Sequence, residues 1–165
     1  MKFLYILLLP LLIFSCSRKN SLDHSLEDKI ERTAIKVPYE LGSNYFVKNN
    51  VDLSNLNKSY LDSKIIFDSI FGIARTMSKE SDPTPIDFTQ QIVIPIILEE
   101  TNIGSTITVD SVNKIGNHLK IRYTVTEVQP ISYIVQPCEL IIINRKEISD
   151  LNELELSFEK TTKVL

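Results

Sequence analysis

Residues 91–98, QIVIPIIL, constrain this chain more than any other stretch. They form the longest apolar run outside the N-terminus and are dense in Ile and Val. A short apolar run rich in β-branched residues reads as a buried strand. One helix-like segment leads into it and three strand-like runs follow over 106–144, so the rest of the chain is expected to cover it.

The runs that follow are patterned differently. Residues 106–112 set Ile107 and Val109 against Thr106, Thr108 and Asp110. Residues 119–128 set Leu119, Ile121, Tyr123 and Val125 against Lys120, Arg122, Thr124 and Thr126. Such alternation is the mark of a half-exposed strand. Residues 133–144 give another strand with Leu140, Ile141, Ile142 and Ile143 at its end, and 151–158 alternates Leu154, Leu156 and Phe158. Upstream, 34–48 is strand-like, and Pro38 places it at an edge or a bulge. In 59–71, Leu61, Ile65, Ile66 and Ile70 recur at helical spacing with Phe67 and Phe71. Ser59 is the expected N-cap of that helix and Gly72 its C-cap. The Gly-containing segments 99–105 and 115–118 read as hairpin loops, and Gln129-Pro130 reads as a strand break. The connections are too short for βαβ crossovers. The fold class is therefore α+β, mainly antiparallel β: a small β-sandwich-like sheet with one packed helix.

A chain of 165 residues fits one domain preceded by an address. Met1-Lys2 starts positive, residues 3–14 are apolar apart from Pro10, and Ser15-Cys16 follows. That is the layout of a secretory signal, and the run is shorter than the roughly 20 residues a spanning helix needs. Ile13-Phe14-Ser15-Cys16 resembles a bacterial lipobox, which implies cleavage before Cys16 and acylation of that residue. The expected organisation is a signal peptide over 1–15, a flexible tether over 16–30 and a β-rich domain over 31–165. Ser17, not Asp, follows Cys16, and this favours the outer membrane within the bacterial cell envelope.

Several function classes lack the residues they need. A formal charge of −3 with no basic block gives no footprint for nucleic acid. Four glycines leave little for a phosphate loop, and no HExxH, GxSxG, DxDxDG or CxxC pattern occurs. No metal or cofactor site is expected. His24 sits among Asp23, Glu27 and Asp28 in the polar stretch 17–29, with too few ligands for a metal. Cys138 and His118 are the remaining pair for nucleophilic chemistry, but Cys138 beside an apolar run reads as a small buried hydrophobe and His118 as a turn residue. Recognition is expected on loops held by a rigid sheet. Those loops are Asn102, Ile103, Gly104 and Ser105 on one side and Asn117 and His118 on the other.

Pro85-Ile86-Asp87-Phe88, QIVIPIIL, a polar Gly loop, ITVDSV, NHLKIRYTVTEV and QPCELIIIN follow one another in the order of a known domain. From 86 to about 148 the chain resembles the C-terminal domain of the protease-complex subunit PrcB family. The chain is also similar, over most of its length, to Bacteroidetes lipoproteins with NYFVKN-like and PTxIDF-like segments. Gly104 and Pro137 match the PrcB pattern. The family's Gly-Gly-Tyr loop is here Asn102-Ile103-Gly104-Ser105, and Cys138 replaces its late aromatic. The resemblance implies a non-enzymatic, extracytoplasmic partner of another protein, one that stabilises or regulates an envelope protease complex. The alternatives are a chagasin-like protease inhibitor or a small thiol enzyme using Cys138 and His118.

Overall fold

A computed structural model describes residues 34–49, 51–53, 60–74 and 82–165. The apolar run becomes β5 (Gln91–Ile97), which pairs antiparallel with β8 (Cys138–Asn144) from Gln91 opposite Asn144 to Ile97 opposite Cys138. The short β2 (Glu40–Gly42) pairs with the far side of β8, giving a three-stranded sheet in the order β2-β8-β5. A second sheet is built on a long hairpin, β6 (Thr101–Ile115) and β7 (His118–Val135). It is flanked by β1 (Ile35–Lys36) and β9 (Glu155–Val164), in the order β1-β6-β7-β9. A two-stranded piece, β3 (Tyr45–Val47) with β4 (Phe71–Ile73), adjoins the helix α1 (Lys64–Ile70).

The β5/β8 pair is the middle layer, and this explains why its sequence does not alternate. Ile92, Ile94, Ile96, Ile141 and Ile143 pack into one cluster with Leu119, Ile121 and Val125 of the long sheet. Val93, Ile97, Leu140 and Ile142 point the opposite way, into a second cluster with Leu61, Phe67 and Ile70. Neighbouring strand residues face opposite sides, so a strand covered on both faces must be apolar throughout. The long sheet is covered on one face only, and β7 alternates accordingly. In the second cluster Phe67 is the hub, with ring centroids 4.9 Å from Phe71, 5.1 Å from Tyr45 and 5.5 Å from Phe88.

Proline inside β5 is tolerated because β5 ends its sheet. Val93 exchanges both backbone hydrogen bonds with Leu61, at 2.7 and 2.9 Å, on the side away from β8. Pro95, two residues on, has its missing N–H on that same outer side, where no ladder bond is lost. Leu61 and Pro95 together close this edge to further pairing.

Several expectations are corrected by the structure. The helix is only Lys64–Ile70, with Ser63 as N-cap and no side-chain capping bond; Ser59 lies outside the described residues. Its apolar face is narrow: Phe67 and Ile70 are buried, while Ile65 and Ile66 are exposed. Gly72 does not cap it, because the chain turns extended at Phe71 and Gly72 lies in β4. Segment 34–48 is three short strands in three sheets, with Pro38 after the first and Asn44, at φ 63°, before the third. β5 and β6 are not a hairpin, since residues 98–100 carry the chain from one sheet to the other. Gln129-Pro130 does not break β7; the break comes at Gln136-Pro137. β9 pairs parallel with β7, and the crossover that allows this is β8 in the other sheet, not a helix. The fold remains mostly antiparallel β with one α-helix among the described residues. None of the described helices is long and apolar enough to cross a membrane.

Candidate functional site

The β6–β7 hairpin has two ends, and the residues singled out in the sequence divide between them. At the turn end, Gly116 and Asn117 join the strands, with Gly116 at φ 62°. Positive φ at the first turn residue alone is the II′ geometry whose twist suits a hairpin, and glycine takes it without strain. Asn117 is committed to structure: its Nδ2 donates to the Asp150 carbonyl at 2.6 Å and its Oδ1 accepts from the Asp150 N–H at 3.2 Å. These bonds hold the 150–154 segment against the turn and leave an open cleft of about 610 Å³ beside Ile115, His118 and Glu155.

His118 meets a partner that the sequence did not single out. Its Nε2 lies 2.6 Å from Ser157 Oγ, and its Nδ1 lies 4.0 Å from Glu155 Oε2. The order Ser, His, acid is that of a nucleophile, base and orienter, but the geometry is too loose for the chemistry. An orienting acid must hydrogen-bond the ring. Glu155 is beyond that distance, and its side chain is 80% exposed, so water screens what attraction remains. The parallel register that places His118 opposite Glu155 was the missing signal, and nothing in the local sequence carries it.

Cys138 is not brought to His118. It starts β8 and packs at the fringe of the helix-side cluster, whereas His118 starts β7 in the other sheet. Burial, reinforced by the Glu139 charge, pushes the Cys138 thiol up to about 11, against a smaller lowering by a Val47 backbone hydrogen bond. A thiol held protonated is a poor nucleophile. Iodoacetamide at neutral pH should therefore label Cys138 at least about 100-fold more slowly in the folded chain than after denaturation. Equal rates in the two states would return Cys138 to the list of reactive groups.

At the far end the hairpin forms an arm. Asn102, Ile103, Gly104 and Ser105 are not a loop; they lie within β6. Their pairing with β7 is irregular: Thr101 faces Val135, Ile103 faces Pro130 and Ser105 faces Glu127, so β7 carries the extra residues of two register shifts. Such bulges bend a strand and re-aim its side chains. The polar groups of β6 here turn inward on themselves, with Ile103 N donating to Thr101 Oγ1 at 3.0 Å and Ser105 Oγ to the Ile103 carbonyl at 3.1 Å. Gly104 lets the strands approach closely, since a Cβ there would lie 2.7 Å from Val128 Cγ2 and that exposed side chain would have to shift. On the β7 side Val128, Tyr133 and Ile134 are exposed, Ile134 by 70%. The arm and the turn are separated by about 12 residues of β6, on the order of 40 Å of strand. Asn102–Ser105 and Asn117-His118 therefore do not form one surface.

Among the described residues no group of three or more His, Cys, Asp or Glu side chains could hold a metal ion. No protein-family model, curated protein sequence or solved structure matches this chain.

Proposed function

We propose that this chain is a lipid-anchored, non-catalytic binding protein of the bacterial cell envelope, and that the β6–β7 arm is the surface that holds its protein partner. The carrying observation is the exposure of Val128, Tyr133 and Ile134 on the two faces of the bulged end of the ribbon. Large apolar side chains concentrated on an arm with no core to cover mark a contact surface. Asn102, Ile103, Gly104 and Ser105 form the other strand of the same arm, so this half of the sequence-based surface is retained. Asn117 and His118 are assigned to holding the turn. Anchoring is through acylated Cys16, with the outer membrane as destination. The PrcB-like order of segments makes a protease complex the first partner to seek, with this chain as a stabilising or regulatory subunit. No cofactor takes part.

The test is crosslinking in intact cells followed by purification through a tag placed after Leu165. A Tyr133→Ser, Ile134→Ser variant should fold normally, because substitutions at exposed sites rarely cost more than about 0.5 kcal/mol. It should lose a dominant co-purifying protein at least about tenfold, as anchor residues of an interface do. His118→Ala, at the other end of the hairpin, should retain that protein. Recovery of the wild-type chain alone, or equal recovery of the partner with the arm variant, would overturn the assignment. A papain-like protease that keeps full activity with the chain added separates the accessory role from the inhibitory one.

A further inference from the structure

The outer side of β9 is an edge with a defined hydrogen-bond phase. β9 pairs with β7 over ten positions, from His118 opposite Glu155 to Glu127 opposite Val164, without a register shift. Glu155 N donates to the Asn117 carbonyl and Leu165 N to the Glu127 carbonyl. The odd-numbered residues therefore turn their backbone groups to β7. Leu156, Phe158, Lys160, Thr162 and Val164 turn theirs outward, because successive strand residues alternate sides. No described strand lies beyond them. The β5 edge is closed by Leu61 and Pro95, but β9 has neither a proline nor a bulge. A regular edge of this kind is a template for another strand.

We propose that β9 is a self-association surface, which pairs antiparallel with β9 of a second copy about a two-fold axis at Thr161 and joins two four-stranded sheets into one. Two conditions narrow the choice of register, and the formation of ion pairs then selects this one. Outward-facing residues must meet outward-facing residues, so the axis must pass through a residue and not between two. Like charges must also not oppose one another. An axis at Lys160 sets Lys160 against Lys160, and an axis at Glu159 sets Glu159 against Glu159. Axes at Phe158 and at Thr162 avoid both but form no ion pair. The Thr161 axis sets Glu159 against Lys163 twice, Lys160 against Thr162, and Phe158 against Val164. The lysines that would guard the edge in other registers thus become complementary in this one. Glu159 is already held charged between Lys120 and Arg122, at 2.9 and 3.0 Å, so it meets the incoming Lys163 as a carboxylate. Val164, 76% exposed in the single chain, gains an apolar neighbour. The contact is isologous, as two-fold dimers require. It is independent of the arm's proposed role and stands or falls separately.

The test uses the full chain in its own envelope, with Cys138→Ser to remove the free thiol and one cysteine added at either of two neighbouring exposed positions. In this register Thr161 faces its own symmetry mate as a non-hydrogen-bonded pair with Cα atoms about 4.5 Å apart, inside the range a disulfide spans. Thr161→Cys should give a disulfide-linked dimer under mild oxidation. Thr162→Cys, whose mate lies two positions along the partner strand, should remain monomeric. Adding Lys163→Glu to the Thr161→Cys chain should cut the dimer yield roughly fivefold or more, because two attractive pairs become repulsive. A monomeric Thr161→Cys chain under oxidant, or equal crosslinking of Thr162→Cys, overturns the proposal.

Discussion

Replacement of Ile94 by alanine is expected to cost about 2–5 kcal/mol of folding stability, the range for truncating a buried isoleucine. Ile94 is 0% exposed and sits midway along β5, on the face packed against the long sheet. Its neighbours are strands in two different sheets, and neither sheet can close on the gap without breaking its own ladder. The loss should therefore fall in the upper part of that range. Against a typical total of about 5–15 kcal/mol, such a loss leaves the domain marginal. Ile94→Asp should prevent folding altogether, since a buried carboxylate there has no partner within an apolar cluster. Ile65→Ala provides the contrast. Ile65 lies on the helix preceding β5 but is 83% exposed, and its truncation should change stability by less than about 0.5 kcal/mol. Urea titrations of the three chains check this, and an Ile94→Ala midpoint within experimental scatter of the parent would show that β5 is not the middle layer.

The same residues show what the sequence makes legible. β5 was recognisable because a strand covered on both faces is apolar at every position, and β7 because a strand covered on one face alternates. Both signals are local. Which strand pairs with which is local only where a short turn joins the two, as Gly116-Asn117 joins β6 to β7 in the hairpin expected over 115–118. The β7–β9 pairing joins His118 to Glu155 across an excursion through the other sheet, and no residue near either strand announces it. The side-chain contact between His118 and Ser157 was hidden for the same reason. Asn102-Ile103-Gly104-Ser105 looked like a loop because Gly and Asn are turn formers. They are in β6 because bulges on the opposite strand absorb the irregularity, and because Gly104 leaves room for Val128. The sequence extends the helix too far because Leu61 shares the helical spacing of Ile65, Ile66 and Ile70. Leu61 instead spends its backbone bonds on Val93, closing the edge of β5.

That closure depends on Arg145, and Arg145→Ala is expected to cost about 1.5–3 kcal/mol, the range for hydrogen bonds to a charged group. Arg145 follows β8 and begins a 3-10 turn. Its Nη2 donates to two carbonyls, Asp62 and Phe88, each at 2.9 Å, and its backbone N–H donates to Gln90 at 2.8 Å. Asp62 follows the Leu61 bridge, and Phe88 lies in the turn that launches β5 and packs on Phe67. One guanidinium thus fastens both segments that flank the start of β5. Its Nε is buried without a hydrogen-bond partner among the described residues, so part of the cost of burying the guanidinium is unmet, and the gain is held below what two charged hydrogen bonds would otherwise give. Arg145→Lys tests the double attachment. An ammonium can point at only one of the two carbonyls with good geometry, so lysine should recover about half of the loss. Amide exchange separates this from a general loss of packing. In Arg145→Ala the Leu61 and Val93 N–H groups, each of which donates to the other residue's carbonyl, should exchange faster than the amides of the β5/β8 ladder. If all of these amides accelerate equally, Arg145 supports the whole middle sheet, and its role is not confined to the closed edge.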